Sequence, residues 1–173
     1  MAISDIYDSE SFRLNSSNLS RTQKRVLIPG YDRKALSPSI VHIGLGNFHR
    51  AHQAAYLEEL LERGLEKRGI FGINLIPDSF PLEEILREQD YLYTLVTKSA
   101  GDDEKVRVSG PIIGYLNASG NREAALRRMA DDGTSLITLT VTERGYYFDK
   151  DVRAGRLGPV SGRERRGGPE HPH

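Results

Sequence analysis

The stretch from Ser39 to Glu62, SIVHIGLGNFHRAHQAAYLEELLE, constrains the fold of this chain more than any other. Ile40 to Ile43 reads as a buried strand, Gly44 and Gly46 as a turn, and the apolar positions Ala51, Ala54, Leu57 and Leu61 recur at helical spacing. A second β-rich run, Ile70 to Ile76, ends at Pro77 and completes a βαβ unit. Parallel strands need such a crossover, so the expected class is α/β, with a mostly parallel sheet flanked by helices.

The remaining segments extend that pattern. FPLEEILREQD carries Pro81 near its start, as first helical turns often do. Strands are expected in YLYTLVTK, KVRVSG and PIIGYL, a short amphipathic helix in REAALRRMA, and a buried strand in SLITLTVT from Ser135 to Thr142. No internal repeat is found. Residues 1–24 read as a polar N-terminal arm with six serines, 25–150 as one globular domain, and 151–173 as a tail. From Arg153 onward that tail holds five Gly, three Pro and five Arg, and only Leu157 and Val160 as aliphatic core candidates. It cannot build a packed element, and its composition resembles translation of a shifted reading frame.

With 173 residues, 38% hydrophobic and 28% charged, the chain can bury one sizeable core. Its 24 basic and 24 acidic side chains are interspersed, so no broad positive field holds nucleic acid or an anionic membrane. No cysteine is present, which excludes disulfides, thiolate catalysis and thiolate metal sites. Neither a secretory signal nor a membrane-length apolar run is seen, and the expected location is cytoplasmic.

The glycine turn suits a phosphate. Gly44 permits the tight strand-to-helix turn and Gly46 lets backbone approach a pyrophosphate without a Cβ in the way. The amides of Asn47 and Phe48 then sit at a helix start, and Arg50 adds a positive charge one turn in. The third glycine of G-x-G-x-x-G is replaced by His49, so taken alone a ligand-free βα turn is a competing reading. Asp78, just beyond the second strand, can accept hydrogen bonds from a ribose diol and repel a 2′-phosphate, which favours NAD; an exposed turn or N-cap role accounts for it equally well. His42, His49 and His52 invite comparison with a metal site, but His42 reads as a core histidine. His49 and His52 read as residues that orient the turn or border a cofactor.

At these residues the sequence resembles the long-chain mannitol dehydrogenase family, which includes mannitol 2-dehydrogenases and fructuronate and tagaturonate reductases. IPGYDRKALSPSIVHIGLGNFHRAHQAAYLEEL is similar to that family's N-terminal signature, with Phe48-His49-Arg50-Ala51-His52 in place of the third glycine. REQDYLYTLVTK and SLITLTVTERGYYFD agree as well, the latter with a T-x-T-E-x-G-Y segment. The resemblance covers roughly residues 26–150. It argues against a methyltransferase, which also joins a glycine turn to a carboxylate after the second strand.

The resemblance implies a Rossmann-like dinucleotide-binding domain, incomplete here, with NAD held by Gly44, Gly46, Asn47, Phe48, His49, Arg50, Asp78 and Thr142. Glu143 is implied as an accessory group near substrate, with a plain loop carboxylate as the competing reading; Arg144 stands where the family often has Lys or Gly, and Tyr146 and Tyr147 read as packing residues. The family also implies a helical C-terminal substrate domain with a lysine base in a K-x-x-x-x-N-x-x-H arrangement. The residues five after Lys24, Lys34, Lys67, Lys98, Lys105 and Lys150 are Pro29, Ser39, Gly72, Asp103, Gly110 and Gly155, so that arrangement is not in this chain. The expected function is therefore the cofactor-binding part of an NAD-dependent polyol oxidoreductase of mannitol/fructose type, inactive alone and prone to self-associate through its exposed domain interface. A polyol or ketose would bind only with the C-terminal domain. The alternatives are a hexuronate reductase fragment and a non-catalytic dinucleotide module or truncation product.

Overall fold

The structure, a computed structural model, describes residues 13–22, 25–75, 77, 81–98 and 104–141. The chain divides into two compact units, Met1–Thr140 and Val141–His173, and every described residue except Val141 lies in the first. The expected tail over 151–173 falls outside the described residues, as do Asp78, Thr142, Glu143, Arg144, Tyr146 and Tyr147.

In chain order the regular elements are β1 (Ser37–Ile43), α1 (Asn47–Ala51), α2 (Gln53–Glu62), β2 (Arg68–Asn74), α3 (Leu82–Glu88), β3 (Tyr93–Lys98), β4 (Glu104–Ser109), β5 (Ile112–Asn117), α4 (Arg122–Met129) and β6 (Leu136–Leu139). Four strands form a parallel sheet in the order β5-β2-β1-β6, and β3 pairs with β4 antiparallel. Alternate side chains of a strand face opposite sides of a sheet, and both sides are used here. Ile40, Ile70, Ile112 and Tyr115 pack under Ala54, Leu57 and Leu61 of α2 and Leu82 and Leu86 of α3. On the opposite face Val41 and Ile73 meet Ala118, just after β5, and Ala125 of α4. The parallel sheet flanked by helices is the architecture expected from the sequence.

Four expectations change. β1 begins at Ser37, three residues before the apolar run, because Pro38 sits where the β1–β2 register is irregular and its missing N–H breaks no ladder bond. β2 ends at Asn74, two residues before Ile76. The helix expected after the turn starts at Asn47 but is not continuous, being interrupted at His52 (φ −120°, ψ −82°). The strand expected to be buried from Ser135 to Thr142 is regular only from Leu136 to Leu139, and Leu136, Ile137 and Leu139 are 43%, 45% and 60% exposed. β6 pairs with β1 along one edge, and among the described residues no strand lies on its other edge. An apolar run is buried only if another element covers it.

Of the described residues in the arm read as polar, 13–22, Leu14 is buried and the others are exposed or half-buried. Leu14 and Val26 are buried with Leu92, Val106 and Val108. Asn15 caps the short 3₁₀ turn Ser16–Arg21 by accepting from the Asn18 amide. Arg33 then fastens the lead-in to the sheet, donating from Nε to Gly110 O (2.9 Å) and from Nη2 to Asp90 O (2.7 Å) and Ile112 O (2.9 Å). Burial lowers the Arg33 pKa, yet its donors are matched to carbonyls that would otherwise need water. Among the described residues no helix is long and apolar enough to cross a membrane.

Candidate functional site

The chain runs outward from β1 to β2 and β5, then returns to add β6 on the other side of β1. Strand order therefore reverses between β1 and β6. In open α/β sheets the crevice beyond the C-terminal ends of two such strands is where ligands bind. The glycine turn leaves β1 at that point, and the Thr140 amide closes the β1–β6 edge on Ile43 O at 3.0 Å.

Gly44 has φ +93°, in the left-handed region that side chains rarely adopt. A Cβ there would lie at ordinary contact from Thr140 O (3.5 Å), so the backbone angle, not crowding, requires glycine. At Gly46 a Cβ would meet nothing nearer than Gly44 O at 3.9 Å. The space over Gly46 is open, which suits the close approach of a ligand. Arg50 N donates to Gly46 O (3.1 Å) as the first intrahelical bond, so the amides of Asn47, Phe48 and His49 precede the helical ladder. Gly46 at the N-cap offers no side chain to cap them.

Six of the expected site residues, Gly44, Gly46, Asn47, Phe48, His49 and Arg50, thus share one turn. Arg50 bends back over it, donating to Asn47 Oδ1 and, at 3.4 Å, to Leu45 O; burial lowers its pKa. Phe48 is 66% exposed and stacks on His52 with ring centroids 4.4 Å apart. His52 also lies with Nδ1 2.9 Å from Phe48 O. Asp78 and Thr142 follow β2 and β6 in sequence, and these strands end at the same sheet edge as β1, but both residues lie outside the described ones.

His49 takes the slot of the missing glycine by turning its ring inward. It is buried and stacks on His42 with centroids 3.6 Å apart. A ring in that position suits one of its two expected roles, orienting the turn. Neither His49 ring nitrogen has a hydrogen-bond partner among the described residues, and burial, with His42 and Arg50 nearby, pushes its pKa down to about 3. His42 is the satisfied core histidine expected: Nδ1 lies 2.8 Å from Thr138 Oγ1 and Nε2 3.1 Å from Thr140 Oγ1. Burial lowers its pKa too. Among the described residues no group of three His, Cys, Asp or Glu is placed to hold a metal ion.

Two further sets of residues shape the turn. Leu45 is wholly buried, its side chain filling the space beside Gly72, where a Cβ would come within 2.7 Å of it. Its amide donates to Asn74 Oδ1 at 2.9 Å. Under the helix, Glu58 is buried and accepts from Ser109 Oγ (3.0 Å) and Gly110 N (2.8 Å). Burial raises its pKa. Tyr93 links this group to the turn by donating its hydroxyl proton to Arg50 O (2.8 Å), with Ser109 Oγ 3.1 Å away; burial pushes the phenol up to about 12. Glu58 had a sequence signal, since it sits inside the apolar stripe Ala54, Leu57, Leu61. A cavity of about 180 Å³ lies between α2 and β4, lined by Leu27, Ile28, Glu58, Glu62, Arg107 and Val108; no residue of the glycine turn borders it.

The family model for the mannitol dehydrogenase Rossmann domain matches residues 38–173. Mannitol 2-dehydrogenase of Pyrenophora tritici-repentis is 42% identical over 143 residues, covering 82% of this chain and 25% of the relative. That of Pyricularia oryzae is 36% identical over 147 residues, covering 82% and 29%. Among solved structures, the ternary complex of Pseudomonas fluorescens mannitol 2-dehydrogenase with NAD and D-mannitol superposes with a TM-score of 0.73 at 36% identity, covering 78% of this chain and 28% of that one. A substrate-free D-sorbitol dehydrogenase gives 0.73 at 32%, covering 81% and 29%. The chain thus spans between a quarter and three tenths of the length of these relatives.

Proposed function

The chain belongs to the mannitol dehydrogenase family, and from that premise we propose that it is the NAD-holding part of a polyol oxidoreductase of mannitol/fructose type. The observation that carries this reading is the left-handed Gly44 turn at the strand-order reversal, with open space over Gly46 and the Asn47 and Phe48 amides ahead of the helical ladder. Those amides and the helix start would receive the pyrophosphate, with Arg50 adding charge. Asp78 would accept from the adenosine ribose, and Thr142 would border the nicotinamide end. When bound, NAD supplies the hydride acceptor for oxidation of a carbinol.

Chemistry also needs a base and a positioned alcohol. The K-x-x-x-x-N-x-x-H arrangement is not in this chain, so the isolated chain should bind cofactor without oxidising polyols. The neutral polyol is preferred to a hexuronate because the relatives named above act, by name, on mannitol and sorbitol.

Calorimetric titration of the chain with NAD tests the reading. Saturable binding is expected, weakened about tenfold or more in Asp78→Ala by loss of a charged hydrogen-bond acceptor. A flat isotherm for the wild type overturns the proposal.

A further inference from the structure

The bond between Leu45 N and Asn74 Oδ1 repairs a fault that the glycine turn creates. Along β1, successive amides point alternately to the two neighbouring strands. Gly44 N donates to Ile73 O at 2.8 Å, so a regular strand would send the Leu45 amide the other way, toward β6. The positive φ of Gly44 turns the chain, and the Leu45 amide faces β2 as well. No backbone carbonyl of β2 takes it; the side chain of Asn74 does.

Asn74 is braced for this. Its carbonyl accepts from Ala118 N at 2.7 Å on the β5 side, while its carboxamide reaches the turn on the β1 side. The Leu45 amide cannot turn to water instead, because Leu45 is wholly buried and its side chain is fixed beside Gly72. An unpaired donor there would have to be relieved by a shift of the turn itself.

We propose that Asn74 is a positioning residue of the dinucleotide site: its carboxamide sets the shape of the Gly44-Leu45-Gly46 turn that leaves the Asn47 and Phe48 amides for the ligand. This rests on the NAD reading above. The choice of an amide over an acid follows from the same geometry. Aspartate could accept from Leu45 N equally well, but its charge would stand one residue from the backbone that receives a pyrophosphate, and it would repel the ligand.

The test is NAD titration of the full chain and its Asn74→Ala and Asn74→Asp variants at low and high salt, with a thermal melt of each. Asn74→Asp keeps the acceptor for Leu45 N, so it should fold and melt cooperatively. Its NAD affinity should fall about tenfold at low salt, and the loss should shrink at high salt as the charge is screened. Asn74→Ala should lose affinity to a similar degree with no salt dependence of the loss. If Asn74→Ala does not fold, Asn74→Asp carries the test alone. Wild-type binding matched by a folded Asn74→Ala, or by Asn74→Asp at low salt, overturns the role of Asn74 and leaves the NAD reading standing. So does an Asn74→Asp loss that ignores salt. No binding by the wild type overturns both.

Discussion

The two sides of β1 are built differently. Toward β2 and β5 the sheet is closed: Ile70 and Ile73 are fully buried, helices cover both faces, and even Gly72 is in contact with Leu45. Toward β6 the strand is four residues long, its apolar side chains are about half exposed, and His42 is tied to it through the hydroxyls of Thr138 and Thr140. The candidate site lies between these sides. The closed side fixes the turn, and the open side borders the crevice where strand order reverses.

The largest expected difference comes from cutting equal amounts of side chain on each side. Ile70→Ala should cost about 2–5 kcal/mol, and Leu139→Ala, at 60% exposure, less than about 1 kcal/mol. Urea midpoints measure both; similar losses would show that β6 is as well covered as β2 and would erase the contrast.

A smaller effect is expected from pH. The folded His49 pKa is about 3 against an ordinary 6.5, so the unfolded chain takes up this proton first. The stability His49 contributes is complete above pH 6.5 and declines as pH falls toward 3, by about 1.4 kcal/mol per unit. His42, also lowered, acts in the same direction. Glu58, raised by burial, acts oppositely, because the folded chain protonates it first. His49→Phe should retain the stack and lose the His49 part of the acid sensitivity. Denaturation midpoints of both proteins between pH 7 and about 5 isolate that part; parallel curves would refute it.

The smallest effect is sought at the hydroxyl contacts on the open side. Thr138→Val leaves His42 Nδ1 without its partner and should cost about 1 kcal/mol by urea denaturation. A neutral result would mean that the backbone ladder alone holds β6 to β1.

What the sequence disclosed divides along the same line. The strand, the glycine turn, the helix after it and the parallel sheet were legible because each is written in local periodicity and in Gly44, Gly46 and Pro81. The exposure of β6 was not, since SLITLTVT reads as buried whether or not another element covers it. That Gly44, Gly46, Asn47, Phe48, His49 and Arg50 share one turn was legible because they are near neighbours in sequence. Asn74 was not: a single polar residue near the end of an apolar run carries no pattern, and its role arises only once Gly44 adopts a positive φ. The partners of His42 lie 96 and 98 residues further along the chain, beyond any local pattern.

That same separation bears on how the molecule comes into being. The central strand of the sheet finds its β2 neighbour about thirty residues on (Ile40 against Ile70) but must wait for Leu136 to gain its β6 neighbour. Closing a loop of that length is slow and gives no return until the last strand docks. During synthesis, therefore, β1 carries a bare edge until Leu136 has emerged, and the crevice beside the glycine turn is the last part of the described fold to be assembled.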